Sequence, residues 1–488
     1  MKNKINYKLL FLMTGLISAC STTIDDGMFN EHEVVENSAT VTAPANEEDQ
    51  NTISILSLPK EQQERVGSYS DYEAIKPKDA SMVTLTEVAQ LVVGYHPKVA
   101  QSLADARGQE DLIDVAKAGY YPQISAGMNM GYDQNTSGAG STNSRAVSVE
   151  IRQTLYDFGK TAKQVKSAEL GFEGSKTRST ITKEELVHTS TTTLIEAARQ
   201  KTMYELSTQH VAQMSSLVQL VKERHAGGAT NLSDVLHAES RLNDEKAAQL
   251  DTAAFYENHL QRLRILTGKN SIDGVVLNEL PTVFATSCSR PIVWEEVPEY
   301  ILADLESKLA ETELDLATAE QLPTIYLQGQ ASRYLNHPER YRSRNDTSVS
   351  VNLSVPVYQG GGLSARKRAY AEYALSASLR KEQVRLEVEE FLSDASISLR
   401  NMLSRQDLLE ERVKNLGGTR TLYKMQYLDL GSRSLVDLLN SEQEYHNARL
   451  AAASNELDAI LMQLNCAYYH GKLGEYFNVH TTYVDNHH

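Results

Sequence analysis

Few residue patterns in this chain could perform catalysis, and each lacks a required partner. Residues 157–159 read Asp-Phe-Gly, the metal-binding tripeptide of protein kinases, but no HRD loop or glycine-rich nucleotide loop accompanies them. Residues 360–362 are three glycines without the Gly-Lys-Ser/Thr ending of a phosphate-binding loop. The 13 histidines include no HExxH zinc motif, and no nucleophile–base pair is suggested. We therefore predict a protein that is not an enzyme, with no catalytic residues, no metal and no cofactor.

Polar side chains follow two glycine breaks in the chain, at Gly228 and Gly431. Asn231 and Ser434 suit the N-cap position of a helix, and a carboxylate three residues later would complete a capping-box-like arrangement. A carboxylate there also interacts favourably with the helix dipole. The residues that share this setting are Ser233, Asp234, Arg433, Asp437 and Asn440.

The elements that would position these residues occur twice, with an offset of 201 to 203 residues. Each copy opens at a proline, Pro97 or Pro298, and reaches a second proline 25 residues later, Pro122 or Pro323. Two alternating segments, a long segment without proline and a glycine break then follow in both copies. A duplicated unit of this length implies one pseudo-symmetric object rather than two unrelated domains.

The alternating segments predict four β-strands with one apolar face each. After Pro122, Ile124, Met128 and Met130 alternate with small or polar residues, and Val349 and its neighbours do the same in the second copy. The length of about ten residues suits a transmembrane strand, although alternation alone also fits a soluble hairpin. Tyrosines cluster at the segment ends, where an aromatic girdle would lie: Tyr120, Tyr121, Tyr132, Tyr156, Tyr326, Tyr334 and Tyr358.

Four membrane strands cannot form a closed barrel within one chain. They leave two open edges, which lipid does not tolerate, and they fall short of the roughly eight strands of the smallest barrels. If the strands span a membrane, several chains must therefore share one barrel.

Two segments, residues 160–227 and 363–430, contain no proline and predict long helices. About 67 residues at 1.5 Å per residue give a rod of roughly 100 Å. Apolar residues in the second segment recur at spacings of three, four and seven, which favours coiled-coil packing on a partner helix.

The N-terminal residues resemble a bacterial lipoprotein signal. Three lysines precede an apolar run that is too short to span a bilayer, and residues 17–20 read Ile-Ser-Ala-Cys, which resembles a lipobox. We expect lipidation at Cys20; the alternative is an ordinary signal peptide with an incidental cysteine. The acidic stretch that follows is too poor in apolar residues to fold. Cys288 and Cys466 could pair, but the sequence leaves this open.

The ordered set of motifs resembles the TolC family of outer-membrane efflux and secretion ducts. The set comprises LYDFGK at 155–160, PVYQGGG at 356–362, the paired prolines, and the two G-x-x-x-L-x-D-[VL]-L elements that begin at Gly228 and Gly431. The resemblance covers about residues 82–473. It implies a mainly helical homotrimer with four strands per chain, in which one 12-stranded transmembrane barrel continues into a periplasmic α-helical coiled-coil tunnel.

The organisation that follows has two repeats between an anchor and a tail. The predicted parts are a signal peptide at 1–19; a lipidated, acidic and largely disordered tether at 20–81; repeat 1 at 82–267, with strands at 123–156 and a helix hairpin at 157–267; an inter-repeat equatorial segment at 268–297; repeat 2 at 298–473, with strands at 324–357 and a helix hairpin at 359–473; and a C-terminal tail at 474–488.

The resemblance implies the exit duct of a tripartite export machine in the outer membrane of a Gram-negative bacterium. Its partners would be a periplasmic adaptor (membrane fusion protein), an inner-membrane ABC or RND transporter and outer-membrane lipid; a net charge of −16 argues against nucleic acid. LYDFGK is closer to the type I secretion branch, whereas the lipobox is closer to the lipoprotein drug-efflux branch. The cargo, secreted protein or small molecules, stays open. A passive porin-like channel would not explain the long helices, and a structural coiled-coil adaptor would not explain the strands.

The resemblance also implies a polar constriction at the periplasmic entrance. Ser233 and Asp234 match its first-repeat positions, and Arg433 and Asp437 match the second. Leu428 stands where the family pattern has a tyrosine, and Asn440 stands where it has an aspartate, so cation selectivity is expected to be weaker. The glycines assigned to turns are Gly228 and Gly431 in the hairpins and Gly159, Gly360 and Gly361 between strand and helix.

Overall fold

The structure, a computed structural model, describes residues 82–134, 141–277, 282–335 and 345–479. The predicted signal peptide, Cys20 and the acidic tether lie outside the described residues, as does the side chain of Tyr132. The strands are β1 Met82–Val83, β2 Gln123–Gln134, β3 Ser141–Tyr156, β4 Gly274–Val275, β5 Thr324–Tyr334 and β6 Asn345–Ser354. The helices are α1 Leu85–Tyr95, α2 Pro97–Lys117, α3 Lys160–Ala226, α4 Leu232–Thr267, α5 Thr282–Ala285, α6 Pro298–Ala319, α7 Gly362–Met425, α8 Leu435–Tyr469 and α9 Leu473–Tyr476.

The alternating segments form one antiparallel sheet in the order β2-β3-β5-β6. Residues that are directly opposite each other project from the same face of a sheet. The register pairs Ile124 with Ile151, and Leu327 with Val351, so the apolar residues form a continuous face across all four strands. This face is exposed in the single chain; Val349, for example, is 73% exposed. Within the described part of the chain, no further strand pairs with the outer strands β2 and β6, so the sheet has two open edges.

The opposite face of the sheet is polar. Gln328 on β5 donates a hydrogen bond to Glu150 Oε1 on β3 at 3.0 Å, and Asn352 on β6 donates to Gln328 Oε1 at 3.4 Å. The Arg152 guanidinium lies 3.9 Å from the centre of the Tyr326 ring. These cross-strand contacts fix the polar residues on one side of the sheet and the apolar residues on the other.

The last strand is shorter than the predicted strand region 324–357. β6 ends at Ser354, although Val355 and Val357 continue the alternating pattern. Pro356 has no N–H to donate to a sheet ladder, which accounts for the earlier end. The chain then turns through Gly360 and Gly361, both at positive φ, into α7.

The two predicted rods are present as helices of 67 and 64 residues, α3 and α7. At 1.5 Å per residue each is about 100 Å long. α3 packs along its return helix α4, and α7 packs along α8, which gives two helix hairpins. No helix in the described part of the chain is long and apolar enough to cross a membrane.

Buried apolar residues form separate clusters along the hairpins. One cluster joins α1, α3, α4 and α8 and contains Val92, Ile195, Leu260 and Leu464. A second surrounds the disulfide between Cys288, in the inter-repeat segment, and Cys466 on α8. The disulfide settles the pairing that the sequence left open.

The first residues of the C-terminal segment pack against the helices. Leu473 is fully buried and Phe477 is 1% exposed, both within the first cluster. The Glu184 carboxylate on α3 accepts hydrogen bonds from the backbone N–H groups of Leu473 and Gly474, at 3.0 and 2.9 Å. The first residues of the predicted tail at 474–488 are therefore docked on α3.

Candidate functional site

The first hairpin turns within a few residues at Gly228. The N–H of Gly228 donates to the His225 carbonyl at 2.9 Å, and the N–H of Ala229 donates to the Arg224 carbonyl at 2.8 Å. Gly228 has a φ of +73°, a conformation that costs an L-residue with a Cβ roughly 1–2 kcal/mol. A glycine at this position therefore permits the tight turn into α4.

Asp234 binds the residue that precedes the helix cap rather than completing a capping box. The Thr230 hydroxyl donates to Asp234 Oδ2, whereas the Asn231 side chain makes no capping hydrogen bond although its backbone is at the N-cap. The capping role predicted for Asn231 is thus wrong at the side-chain level. Asp234 is half-buried and Ser233 is exposed, so Ser233 faces away from its own hairpin.

The second hairpin turns through a π-helical segment, Gln426–Leu430, that ends at Gly431. Gly431 has a φ of +58°, and the N–H of Ser432 donates to the Gln426 carbonyl at 3.1 Å. The wider turn leaves backbone carbonyls without a partner inside the helix, so they are free to accept from other groups.

Ser434 and Asp437 form a complete capping box at the start of α8. The Ser434 hydroxyl accepts from the Asp437 N–H at 3.1 Å, and the Asp437 carboxylate accepts from the Ser434 N–H at 3.3 Å. The capping interpretation is therefore confirmed for the second repeat. Asn440 lies one turn further along α8 and is exposed.

Arg433 lies in the turn and contacts its own hairpin. Its Nε donates to Gln426 Oε1 at 3.2 Å, and its guanidinium lies 4.4 Å from the centre of the Tyr423 ring. These contacts hold the charge at the exposed end of the second hairpin. A link from Arg433 to Ser233 or Asp234 on a neighbouring hairpin stays a prediction.

The two hairpins are joined near their turns by a buried apolar cluster. Its members come from both hairpins and are Met214, Leu217, Val218, Val221, Val235, Ala238, Leu242, Tyr427, Leu435, Leu438 and Leu439. Apolar burial favours this contact but is non-directional, so directional polar contacts near the cluster add specificity to it.

Arg224 supplies one such contact, and the sequence analysis missed it. Its Nη1 on α3 donates to the Leu428 carbonyl in the π-helical segment at 3.1 Å, and its guanidinium lies 4.9 Å from the centre of the buried Tyr427 ring. The acceptor is a backbone carbonyl, so no side-chain pattern could have revealed the pairing.

The arrangement offers a polar, charged end to each hairpin and no catalytic constellation. Among the described residues, no group of three or more His, Cys, Asp or Glu side chains could hold a metal ion. The Asp-Phe-Gly tripeptide serves as a helix start: Asp157 accepts from the N–H groups of Gly159 and Thr161 at 3.0 and 2.8 Å. The chemistry available at the hairpin ends is that of hydrogen bonding and charge.

The chain matches a family model described as outer membrane efflux protein, over residues 88–269 and 302–464. It is 22% identical to the outer membrane protein TolC of Escherichia coli over 412 residues, which cover 80% of this chain and 83% of that protein. It is 23% identical to the alkaline protease secretion protein AprF of Pseudomonas aeruginosa over 272 residues, 53% of this chain and 55% of that protein. Its fold is similar to that of the Campylobacter jejuni CmeC outer membrane channel, with a TM-score of 0.69, 13% identity and coverage of 79% and 85% of the two chains. This likeness confirms the predicted fold class.

Proposed function

The chain belongs to the outer membrane efflux protein family, the TolC family, and we propose that it is the exit duct of a tripartite export machine. As a member of this family it is an outer-membrane channel protein and not an enzyme. Beyond membership of the family, we propose the number of copies in the channel, the entrance residues, the partners and the cargo. We also propose that Cys20 carries the lipid that anchors the protein.

The observation that carries the proposal is the combination of two structures in one chain. A four-stranded sheet with an exposed apolar face and two open edges continues directly into two hairpins with helices of 67 and 64 residues. Lipid requires every backbone group of a membrane strand to be paired. Three chains contribute twelve strands, which is enough for a closed barrel, and their hairpins would surround a passage on the periplasmic side.

The charged hairpin ends are proposed to close this passage. In a trimer each hairpin end meets copies of itself, so Asp234, Arg433 and Asp437 would each occur three times around the axis. A solvent-exposed ion pair contributes only about 0–1 kcal/mol, but threefold symmetry repeats each link. Opening needs only a small bias between two states, so links of this size are sufficient to regulate it.

Single-channel conductance in planar bilayers tests the entrance residues. Arg433→Ser and Asp234→Ala should each raise conductance above that of the unsubstituted protein, because each removes a link that holds the entrance closed. Arg405→Ser is the matched control, since Arg405 is an exposed arginine of α7 outside the hairpin ends. If both entrance variants conduct normally while thermal stability falls, the residues stabilise their helices and do not gate the channel.

The cargo class is proposed to be secreted protein, passed on by an ABC transporter and a periplasmic adaptor. The LYDFGK motif and the similarity to a protease secretion protein favour this choice. The second candidate is a drug-efflux duct that works with an RND-type pump, which the lipobox and the efflux description of the family model favour. Deleting the gene and measuring both the secreted proteins and the susceptibility to toxic compounds separates them. Loss of a secreted protein alone supports the first, and drug hypersensitivity alone supports the second.

A further inference from the structure

Two histidines form a buried stack between the two hairpins. His210 lies on α3 and His446 on α8; the ring centroids are 4.2 Å apart and the planes are 3° from parallel. The two residues are 2% and 5% exposed. Neutral imidazoles can pack in this way, but two imidazolium ions at the same distance would repel each other strongly, because little water screens them. The contact between the hairpins therefore depends on the charge of these rings.

The packed arrangement of the hairpins gives the His210 and His446 rings few hydrogen bonds. Among the described residues, His210 Nε2 and His446 Nδ1 are buried without a hydrogen-bond partner. A protonated imidazole carries two N–H donors, so protonation would add a buried donor to each ring, and the packed hairpins offer these donors one carboxylate, which lies 3.5 Å from His210 Nε2. Each unsatisfied buried donor is costly.

Acidic groups approach the stack from two helices. A Glu245 oxygen on α4 lies 3.5 Å from His210 Nε2, and Glu442 lies one turn before His446 on α8. Burial raises the pKa of both carboxyls. Two further charges on α4 also affect Glu245: Arg241 lowers its pKa and Asp244 raises it. Among the described residues, Glu245 is thus the one carboxylate within 4 Å of either ring.

Basic groups approach the stack from the other side. Arg420 on α7 donates to Gln213 Oε1 on α3 at 2.9 Å and lies 3.4 Å from Glu442. Arg449 on α8 donates to Gln209 Oε1 on α3 at 2.8 Å. Both arginines disfavour a positive charge on His210, and so does the His446 ring. These three groups oppose protonation of His210, whereas the nearby Glu245 would favour it.

We propose that the His210–His446 stack is a proton-sensitive latch, which holds the two hairpins together while both rings are neutral and releases them when the rings bind protons. The inference rests on the proposed function at one point only, namely that separation of the hairpins widens the entrance. It explains why two ionisable rings occupy a position between the hairpins that apolar side chains would fill at no electrostatic cost.

The direction of the pH dependence follows from linkage. Burial, the His446 ring and the two arginines lower the pKa of His210 from 6.5 to about 4, and burial and Arg449 also lower the pKa of His446. Rings exposed to water in separated hairpins would regain their ordinary pKa. The packed state therefore binds fewer protons than the separated state, so it is most stable above pH 6.5 and loses stability as the pH falls toward 4.

A distance measurement between the two turns tests the latch. Spin labels are attached at Ala229→Cys and Ser432→Cys. Electron paramagnetic resonance then measures the distance between the hairpins in assembled full-length protein that is diluted with unlabelled chains. From the pKa change of His210 alone, the ratio of separated to packed hairpins should be about 30-fold higher at pH 5 than at pH 7.5. An unchanged distance distribution between pH 7.5 and 4.5 would overturn the proposal.

Matched variants assign the response to the stack. His210→Phe with His446→Phe keeps two stacked rings without a proton site, so the distance should no longer respond to pH. His446→Phe alone should give a smaller response than the unsubstituted protein, which covers the case that the double variant does not assemble. His237→Gln is the control, because His237 is an exposed histidine of α4. A double variant that responds like the unsubstituted protein would contradict the assignment.

Conductance measured on the same samples separates the latch from the proposed function. If the distance changes with pH, and the same protein conducts at every pH with higher conductance in acid, both the latch and the channel proposal are supported. A pH-dependent distance in protein that forms no channel at any pH supports the latch and overturns the channel proposal. Normal channels with a distance that does not change with pH overturn the latch alone.

Discussion

At the scale of single residues, the two return helices begin at equivalent positions but are capped differently. Ser434 and Asp437 bind each other's backbone N–H groups, whereas the Asn231 side chain makes no capping bond. Ser434→Ala should therefore destabilise the start of α8 by about 1 kcal/mol, and Asn231→Ala should have a much smaller effect on α4. Hydrogen exchange in the first turns of α8 and α4 measures both. Equal effects in the two helices would contradict the asymmetry.

Glu184 should make stability depend on pH near neutrality. Burial raises its pKa to about 7, against the opposing effect of hydrogen bonds from the backbone of Gly474 and Leu473. The unfolded chain releases this proton near pH 4.5, so the folded protein retains a proton that the unfolded chain has lost between pH 4.5 and 7. The contribution of Glu184 to stability is therefore greatest below pH 4.5, declines up to pH 7 and is constant above.

Glu184→Gln should flatten this part of the stability profile. The variant cannot titrate, so the thermal midpoint should decline less between pH 4.5 and 7 than that of the unsubstituted protein. Glu185→Gln is the control, because Glu185 is the exposed neighbour on α3. Parallel pH profiles for the unsubstituted protein and Glu184→Gln would show that Glu184 is not the group responsible.

What the sequence predicts at this scale depends on how local the interaction is. The capping box joins Ser434 and Asp437, which are three positions apart, so it is visible as a spacing in the sequence. The contact of Arg224 with the Leu428 carbonyl, and the stack of His210 on His446, join segments more than 200 residues apart, so only the packing of the hairpins reveals them.

At the scale of elements, the disulfide fixes the inter-repeat segment to α8. Cys288 and Cys466 are 178 residues apart in sequence and lie in a buried cluster with Val388 and Leu392 of α7. A bond that closes so long a loop restricts the unfolded chain, and removal of native disulfides typically costs about 2–5 kcal/mol. Cys288→Ala with Cys466→Ala should accordingly lower the thermal midpoint, while each hairpin keeps its helical content.

Reduction of the unsubstituted protein provides the matched comparison for the double variant. The two should melt at similar temperatures if the bond, rather than the altered side chains, is responsible. A double variant as stable as the oxidised protein would mean that the apolar cluster holds the segment without the bond.

The elements themselves were largely predictable because their patterns are local. Alternation over ten residues predicts the strands, and the absence of proline over 67 residues permits one helix. The end of β6 at Ser354 was not predicted because the alternation continues to Val357, past Pro356. The docking of Phe477 was not predicted because it depends on a cluster whose members are distant in sequence.

At the scale of the whole molecule, the sheet is the feature that a single chain leaves unfinished. Its apolar face is exposed, and no other strand of the described residues pairs with the outer edges of β2 and β6. The order β2-β3-β5-β6 is antiparallel throughout, so β6 of one copy can pair antiparallel with β2 of the next. Repetition of this contact satisfies every edge only when the ring of copies closes.

Native mass spectrometry of the intact protein, extracted in detergent, measures whether the chain is one third of a shared channel. We expect a stable complex with the mass of three chains, because four strands cannot form a closed barrel alone and twelve can. A stably folded monomer that carries its strands in a membrane-inserted barrel would contradict it.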